Sequence, residues 1–229
     1  MPGHTHFDES TEEYLEAVYR LEREGPGVTT SGLALDLGVA PASVSGMLKK
    51  LASDGYLTYE ARGHASLTQK GLAVAVRVIR RNRLAEVFLH DVLGMPWDEV
   101  HDEACRLEHA ISDRDEGRLV AVLGDPKVCP HGLPIPPADL TAPTRVGERL
   151  ADVQANTTVR IVEVVEDVPE TLRDLDQVGL RPGALVDVVE RGPLGGPITV
   201  QSAVARTAIS VELARSIAVV VAAGSALTA

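Results

Sequence analysis

The sequence predicts a mainly helical N-terminal part that opens with a winged helix-turn-helix, followed by a small all-β barrel. Three observations carry this. Apolar residues recur at helical spacing through the first half of the chain. Two short apolar runs flank Arg62 and Gly63 directly after the third predicted helix. Beyond Asp152 the pattern changes to β-branched runs separated by Gly and Pro.

Tyr14, Leu15, Val18, Tyr19 and Leu21 fall on one face of a first helix, with Ser10 or Thr11 as N-cap and Glu13 as a capping-box partner for Ser10. Gly25, Pro26 and Gly27 end it. A second helix runs from Thr30 to Leu37, punctuated by Gly38. Pro41 suits the first position of a third helix, whose apolar face is Val44, Met47, Leu48 and Leu51. Tyr56–Tyr59 and Ala65–Leu67 read as a β-hairpin. From Leu72 to about Ser112 the chain reads as long helix, lined by Val74, Val78, Leu84, Val87 and Phe88. Gly94–Met95–Pro96 breaks it, and a further helix is expected from Trp97 to Ser112. Leu123–Pro143 is a loop rich in Gly and Pro. Val159–Val165, Leu185–Val189, Ile198–Val200 and Ile217–Val221 are the expected strands.

The 229 residues are 45% hydrophobic and 24% charged, which excludes a disordered or collagen-like chain. Aromatics are 3%, so the core must be built from Ala, Val and Leu. The net charge of -11 repels nucleic acid, so DNA binding would need a local basic face. No apolar run has the length of a membrane span, and Met1–Thr11 lacks a signal-peptide core, so a cytoplasmic protein without a membrane partner is expected. Cys105 and Cys129 are then thiols or metal ligands rather than a disulfide.

Ala34, Gly38 and Val44 have helix-turn-helix spacing: a small residue at the crossing, a glycine in the turn and an apolar seal. The third helix would present Ala42, Ser43, Ser45 and Lys49 to a DNA groove, with Lys50, Thr30 and Arg62 on phosphates. Acids outnumber bases over the first 71 residues, but the bases lie on the third helix and the wing.

Cys105, Glu108 and His109 stand at i, i+3 and i+4, with His101 one turn earlier. Thiolate, carboxylate and imidazole on one helical face suit a divalent transition metal; the plain alternative is a solvated polar face. Cys129 and His131 place a second thiol and imidazole together in the Pro-rich loop.

Taken together, EEYLEAVYRLE at 12–22, the helix-turn-helix at 30–54, RNRLAEVFL at 81–89, VHDEACRLEH at 100–109 and CPHGLPIP at 129–136 resemble the diphtheria toxin repressor family of iron- and manganese-dependent transcription regulators. The resemblance is strong over about residues 8–137 and rests on architecture beyond 152. It implies a winged helix-turn-helix domain at 1–71, a helical dimerisation and metal-binding domain at 72–137, a linker at 138–151 and an SH3-like domain at 152–229. It implies a primary metal site of Glu13, Glu16, Cys105, Glu108 and His109. Glu13 stands where iron-responsive members carry Met and manganese-responsive members Asp, which moves the site toward Mn2+ while Cys105 pulls toward Fe2+. The family's usual second site loses a His at Asn82. Glu86 and His101 keep their matching positions, and Cys129 and His131 match loop ligands of some manganese-responsive members. An acid of the C-terminal domain (Glu166, Asp167 or Glu170) would complete that second set.

The function so implied is a metal-dependent repressor of metal-uptake genes, a homodimer on a palindromic double-stranded DNA operator, with Mn2+ or Fe2+ as cofactor and no enzymatic activity. The rivals are a metal buffer or a metalloenzyme with a degenerate winged helix. The enzyme lacks an HExxH pattern or a nucleophile motif.

Overall fold

The computed structural model describes residues 9–25, 27–60, 64–144, 146–166 and 168–222. The chain divides into two compact units, one of residues 1–81 with 136–142, the other of residues 82–135 with 143–229.

In the first unit, helix α1 (Glu9–Glu24) buries Tyr14, Leu15, Ala17, Val18 and Tyr19. Helix is already formed at Glu9, so Ser10 and Thr11 lie inside it rather than capping it as the sequence suggests. Strand β1 (Val28–Thr29) leads directly into α2 (Thr30–Asp36), where the Thr29 hydroxyl caps by accepting from the Gly32 N–H at 3.0 Å. α3 (Pro41–Ser53) starts on its proline. Gly38, at φ +65°, supplies the left-handed turn between α2 and α3, which are bent by 112°. β2 (Leu57–Tyr59) and β3 (His64–Leu67) pair antiparallel as the expected hairpin, and residues 61–63 between them lie outside the described residues. β1 adds to β3 through Val28 opposite Ala65, giving sheet order β1-β3-β2. Leu15, Val18, Leu33, Val44, Leu48 and Leu51 are the fully buried centre of this core. Leu140 and Ala142, from the segment expected to be a linker, also pack against it.

α4 (Gln69–Val87) crosses the boundary between the units and continues as one π-helical turn over Phe88–Val92. α5 covers only Val100–Glu108, shorter than the expected 97–112. Residues 97–99 are turn, because Trp97 is drawn into the core of the sheet. α6 (Asp113–Leu123) is an additional helix, N-capped by Ser112, whose hydroxyl accepts from Asp115 N–H at 3.2 Å. None of its residues is fully buried; Leu119, Val120 and Leu123 pack half-buried against the core, a stripe confined to its C-terminal half.

The rest of the second unit is an antiparallel six-stranded sheet of order β4-β9-β5-β6-β7-β8. Its strands are β4 (Glu148–Arg149), β5 (Thr157–Val164), β6 (Leu185–Arg191), β7 (Ile198–Gln201), β8 (Arg206–Ile209) and β9 (Ile217–Val221). Two helices not anticipated from the strand pattern are inserted: α7 (Pro169–Gln177) between β5 and β6, and α8 (Val211–Ser216) before β9. Alternate residues Val159, Ile161, Val186, Val188, Ile198 and Val200 point inward, and Leu172 and Leu175 of α7 join them. Among the described residues no single helix is long and apolar enough to cross a membrane.

Candidate metal centre

Two helices and one loop of the second unit build the centre. Asn82 and Glu86 stand one turn apart on α4; His101 and Cys105 stand one turn apart on α5. These stripes meet. Asn82 Nδ2 donates to Cys105 Sγ at 3.5 Å, and His101 Nδ1 lies 3.3 Å from Glu86 Oε1. Within α5, His101 Nε2 is 3.6 Å from Cys105 Sγ. Ala85, Leu89, Val100 and Ala104 pack apolar surface beside these polar pairs.

The loop after Val128 is closed on itself. Val128 and Pro134 form a β-bridge, Cys129 N–H donates to Leu133 O at 3.0 Å, and Gly132 N–H to Cys129 O at 2.8 Å. The Arg83 guanidinium donates to the Pro134 carbonyl. Gly132 has φ +80°, and a Cβ there would lie 2.0 Å from Val162 O, so only glycine lets the loop rest on β5. Val164 N–H donates to His131 O at 2.9 Å. Trp97 anchors the other side. Its Nε1–H donates to Pro130 O at 3.0 Å, and its ring stands 5.1 Å from that of His131. The Arg181 guanidinium covers Trp97 at 4.9 Å.

The result is a buried trio. Glu86, Cys129 and His131 each offer one ligand atom, all within 4.8 Å of one another. Their exposures of 1%, 4% and 2% exclude bulk water. His131 Nε2 faces Trp97 O at 3.2 Å, which assigns the ring hydrogen to Nε2 and leaves Nδ1 bare, 3.4 Å from Glu86 Oε1. Glu86 Oε2 is buried without a hydrogen-bond partner among the described residues. An orphaned buried carboxylate oxygen beside a bare imidazole nitrogen is costly unless a cation joins them. Carboxylate, thiol and imidazole therefore fit a divalent transition metal ion.

Burial alone would raise the Glu86 pKa, but the lowering influences around it, led by the hydrogen bond from His101, outweigh burial and hold the carboxyl well below its ordinary range. Burial first, and then the Glu86 charge, push the Cys129 thiol well above its usual value. The Cys105 sulfur, followed by Glu86, raises His101 to about 11.

The other ligands expected from the sequence are distributed as follows. Glu108 is buried at the end of α5, and His109 caps that helix with its Nε2 3.3 Å from Glu108 Oε1. Cys105 is half-buried on the same helix. Glu13 is exposed and Glu16 half-buried on α1 of the first unit. His101 contacts Glu86 but stands outside the trio. Glu170 is exposed near the start of α7, also outside it, and Asp167 lies outside the described residues. Glu166 accepts from Val168 N–H at 3.0 Å. Neither the hydrogen bond from Trp97 to the loop carbonyl of Pro130 nor that from Asn82 to Cys105 is legible in the sequence motifs. The one tryptophan of the chain, bordering the ligand helix, was the available signal for the first.

On the winged helix, Val44, Leu48 and Leu51 face inward. Ala42, Ser43, Lys49 and Lys50 are exposed and Ser45 is half-buried. Thr30 is half-buried, its Oγ1 3.3 Å from the Tyr59 hydroxyl. Arg62 lies outside the described residues.

Residues 6–65 match the family model for the iron dependent repressor N-terminal DNA binding domain. Residues 68–137 match the iron dependent repressor metal binding and dimerisation domain, and residues 148–221 match the FeoA domain, which is SH3-like. The chain is 37% identical over 204 residues to the iron-dependent repressor IdeR of Mycobacterium leprae (strain TN), covering 84% of this chain and 88% of that protein. It is 34% identical over 199 residues to the diphtheria toxin repressor of Corynebacterium diphtheriae, covering 80% and 85%. A solved manganese-dependent transcriptional repressor in complex with manganese superposes with a TM-score of 0.86 at 34% identity, covering 93% of this chain and 100% of that one. The repressor ScaR with bound Cd2+ gives 0.83 at 28%, covering 93% and 99%. With two repressor models matched end to end and relatives above 30% identity across most of its length, this chain belongs to the iron-dependent repressor family, the family of the diphtheria toxin repressor.

Proposed function

We propose that the chain, a metal-dependent DNA-binding transcriptional repressor of this family, represses metal-uptake genes in the cytoplasm as a homodimer on a palindromic operator. Mn2+ is the favoured activating ion and Fe2+ the alternative. The buried trio of Glu86, Cys129 and His131, with its orphaned Glu86 Oε2, is the observation that carries the metal part. These three hold one ion. Glu13, Glu16, Cys105, Glu108 and His109 hold the other, an assignment that rests on the sequence motifs.

The ion supplies positive charge that neutralises mutually repelling carboxylates. The protein does the rest. Glu13 and Glu16 bring α1 under the control of the ligands on α5, and the spacing of two winged helices in a twofold dimer becomes fixed to match operator half-sites. Ala42, Ser43 and Ser45 enter the major groove, while Thr30, Lys49, Lys50 and Arg62 meet phosphates. Metal activates only to the extent that the ligands bind it better in the DNA-competent state.

The test is Glu13→Ala and His109→Ala, assayed for operator binding and for thermal unfolding. Both variants should stay folded and lose metal-dependent binding. Retention of metal-dependent binding by both would refute the primary ligand set.

A further inference from the structure

A cleft of about 580 Å³ lies between the loop after Val128 and the face of β5, a size usual for a small-molecule site. Its walls are largely apolar: Val128, Pro130 and Pro134 from the loop, Val146 ahead of β4, and Pro182 before β6. Val128 and Val146 are 54% and 60% exposed, so two aliphatic side chains on this one feature are left in water. Backbone hydrogen bonds tie the walls together. Val164 N–H donates to His131 O at 2.9 Å, Gly183 N–H to Ile161 O at 2.8 Å, and Ile161 N–H to Ala184 O at 2.9 Å. The cleft is therefore preformed, and a ligand would not have to order it.

Two charged residues line the cleft, and they are not equivalent. Glu163 is buried, and the Arg149 guanidinium stands 3.7 Å from its Oε1, so its charge is offset. Arg160 is exposed. Its Nη1 donates to Gly183 O at 2.7 Å, and among the described residues it forms no ion pair. Its partners across the sheet, Leu185 on β6 and Val220 on β9, carry no charge. One backbone carbonyl occupies only part of a guanidinium fork, and the remaining N–H groups suit a carboxylate. The net charge of -11 is spread over the whole chain and is screened beyond about 8 Å at physiological salt, so the cation at the cleft decides. The geometry points to a binding site for a small aliphatic monocarboxylate, with its chain against Val128, Val146 and the prolines and its carboxylate on Arg160. Metal-dependent repression neither requires nor supplies this site.

The experiment is isothermal titration calorimetry of the full chain with octanoate. EDTA is present, so that no bound metal ion takes the carboxylate. Octanol keeps the chain without the charge, acetate keeps the charge without the chain, and octylamine reverses the charge. Arg160→Gln, Arg160→Lys and Val146→Asp are compared with wild type, and circular dichroism melts confirm that each is folded. The expected result is one octanoate per chain, with octanol and acetate bound about tenfold more weakly or worse. Arg160→Gln should lower octanoate affinity by about tenfold and leave octanol unchanged, Arg160→Lys should restore part of the loss, and Val146→Asp should abolish binding. Equal affinity for octanoate and octanol, or an Arg160→Gln variant that binds octanoate like wild type, would overturn the carboxylate assignment. Octylamine bound more tightly than octanoate would make Glu163 the anchor and overturn it likewise. No octanoate bound by the wild type would overturn the site, and self-association of the chain lost in Val146→Asp would then assign this face to a second copy.

Discussion

His131 Nε2 lies 3.2 Å from the backbone carbonyl oxygen of Trp97. That single contact decides which imidazole nitrogen is bare, and the bare one faces Glu86. Trp97 holds the same loop by donating from its indole to Pro130 O. Trp97→Phe keeps the ring and removes that donor. We predict a loss of about 1–2 kcal/mol of stability from the unsatisfied carbonyl and a fall of about tenfold or more in affinity for one ion. Chemical denaturation and Mn2+ titration check the two separately. Unchanged affinity would show that the loop holds its shape without the indole.

Gly132→Ala is expected to be severe. The added Cβ meets Val162 O at 2.0 Å in a left-handed backbone conformation. We predict a loss of about 3 kcal/mol or more, with the loop displaced from β5. A denaturation midpoint within error of wild type would contradict the close approach.

Metal affinity should fall with falling pH. The Cys129 thiol is pushed up by burial and by Glu86, so it carries a proton at neutral pH that a bound ion must displace. We expect release of about one proton per ion at this trio and roughly a tenfold loss of affinity per pH unit lowered. Calorimetry in buffers of different ionisation enthalpy counts the proton. Zero release would mean that Cys129 does not ligate through sulfur.

The metal-free chain has its own pH window. His101 is raised from 6.5 to about 11, so its contribution is full below pH 6.5 and declines as pH rises toward about 11. Glu86 is lowered, so its contribution is full above pH 4.5 and lost as acid titrates it. Both are full between pH 4.5 and 6.5. His101→Gln should therefore cost most stability in that window and progressively less toward alkaline pH, read from denaturation midpoints. A cost that grows with pH would reverse the sign.

Lys49 is exposed on α3, on the face opposite Val44 and Leu48. Lys49→Ala should weaken binding to all DNA sequences alike and lower the salt slope by about 1. A change confined to one base position would make it a base-reading residue instead.

The parts of this protein legible in its sequence are those where the local pattern is the cause. Pro41, Gly38 and the Val44–Leu48–Leu51 stripe specify α3 because each acts on its own turn of backbone. α6 and α7 leave a weaker trace. α6 packs Leu119, Val120 and Leu123 only half-buried, and α7 contributes Leu172 and Leu175 to the core, so neither has a broad apolar stripe. α5 stops short of Ser112, and its start yields to Trp97, a tertiary demand from the sheet. The trio was half legible: Cys129 and His131 are neighbours in the chain, but Glu86 reaches them only through folding. The roles of Trp97 and Asn82 come from pairings 34 and 23 residues apart, beyond any local period.

In the proposed function, metal licenses DNA binding. The most direct test is fluorescence anisotropy of a palindromic promoter pool with metal-free protein, followed by separate titrations of Mn2+, Fe2+ and Zn2+. Binding that appears only with metal, and with Mn2+ or Fe2+ sufficient to produce it, is the predicted result. Tight, sequence-selective binding by the metal-free protein, or no binding at saturating Mn2+ and Fe2+, would contradict it.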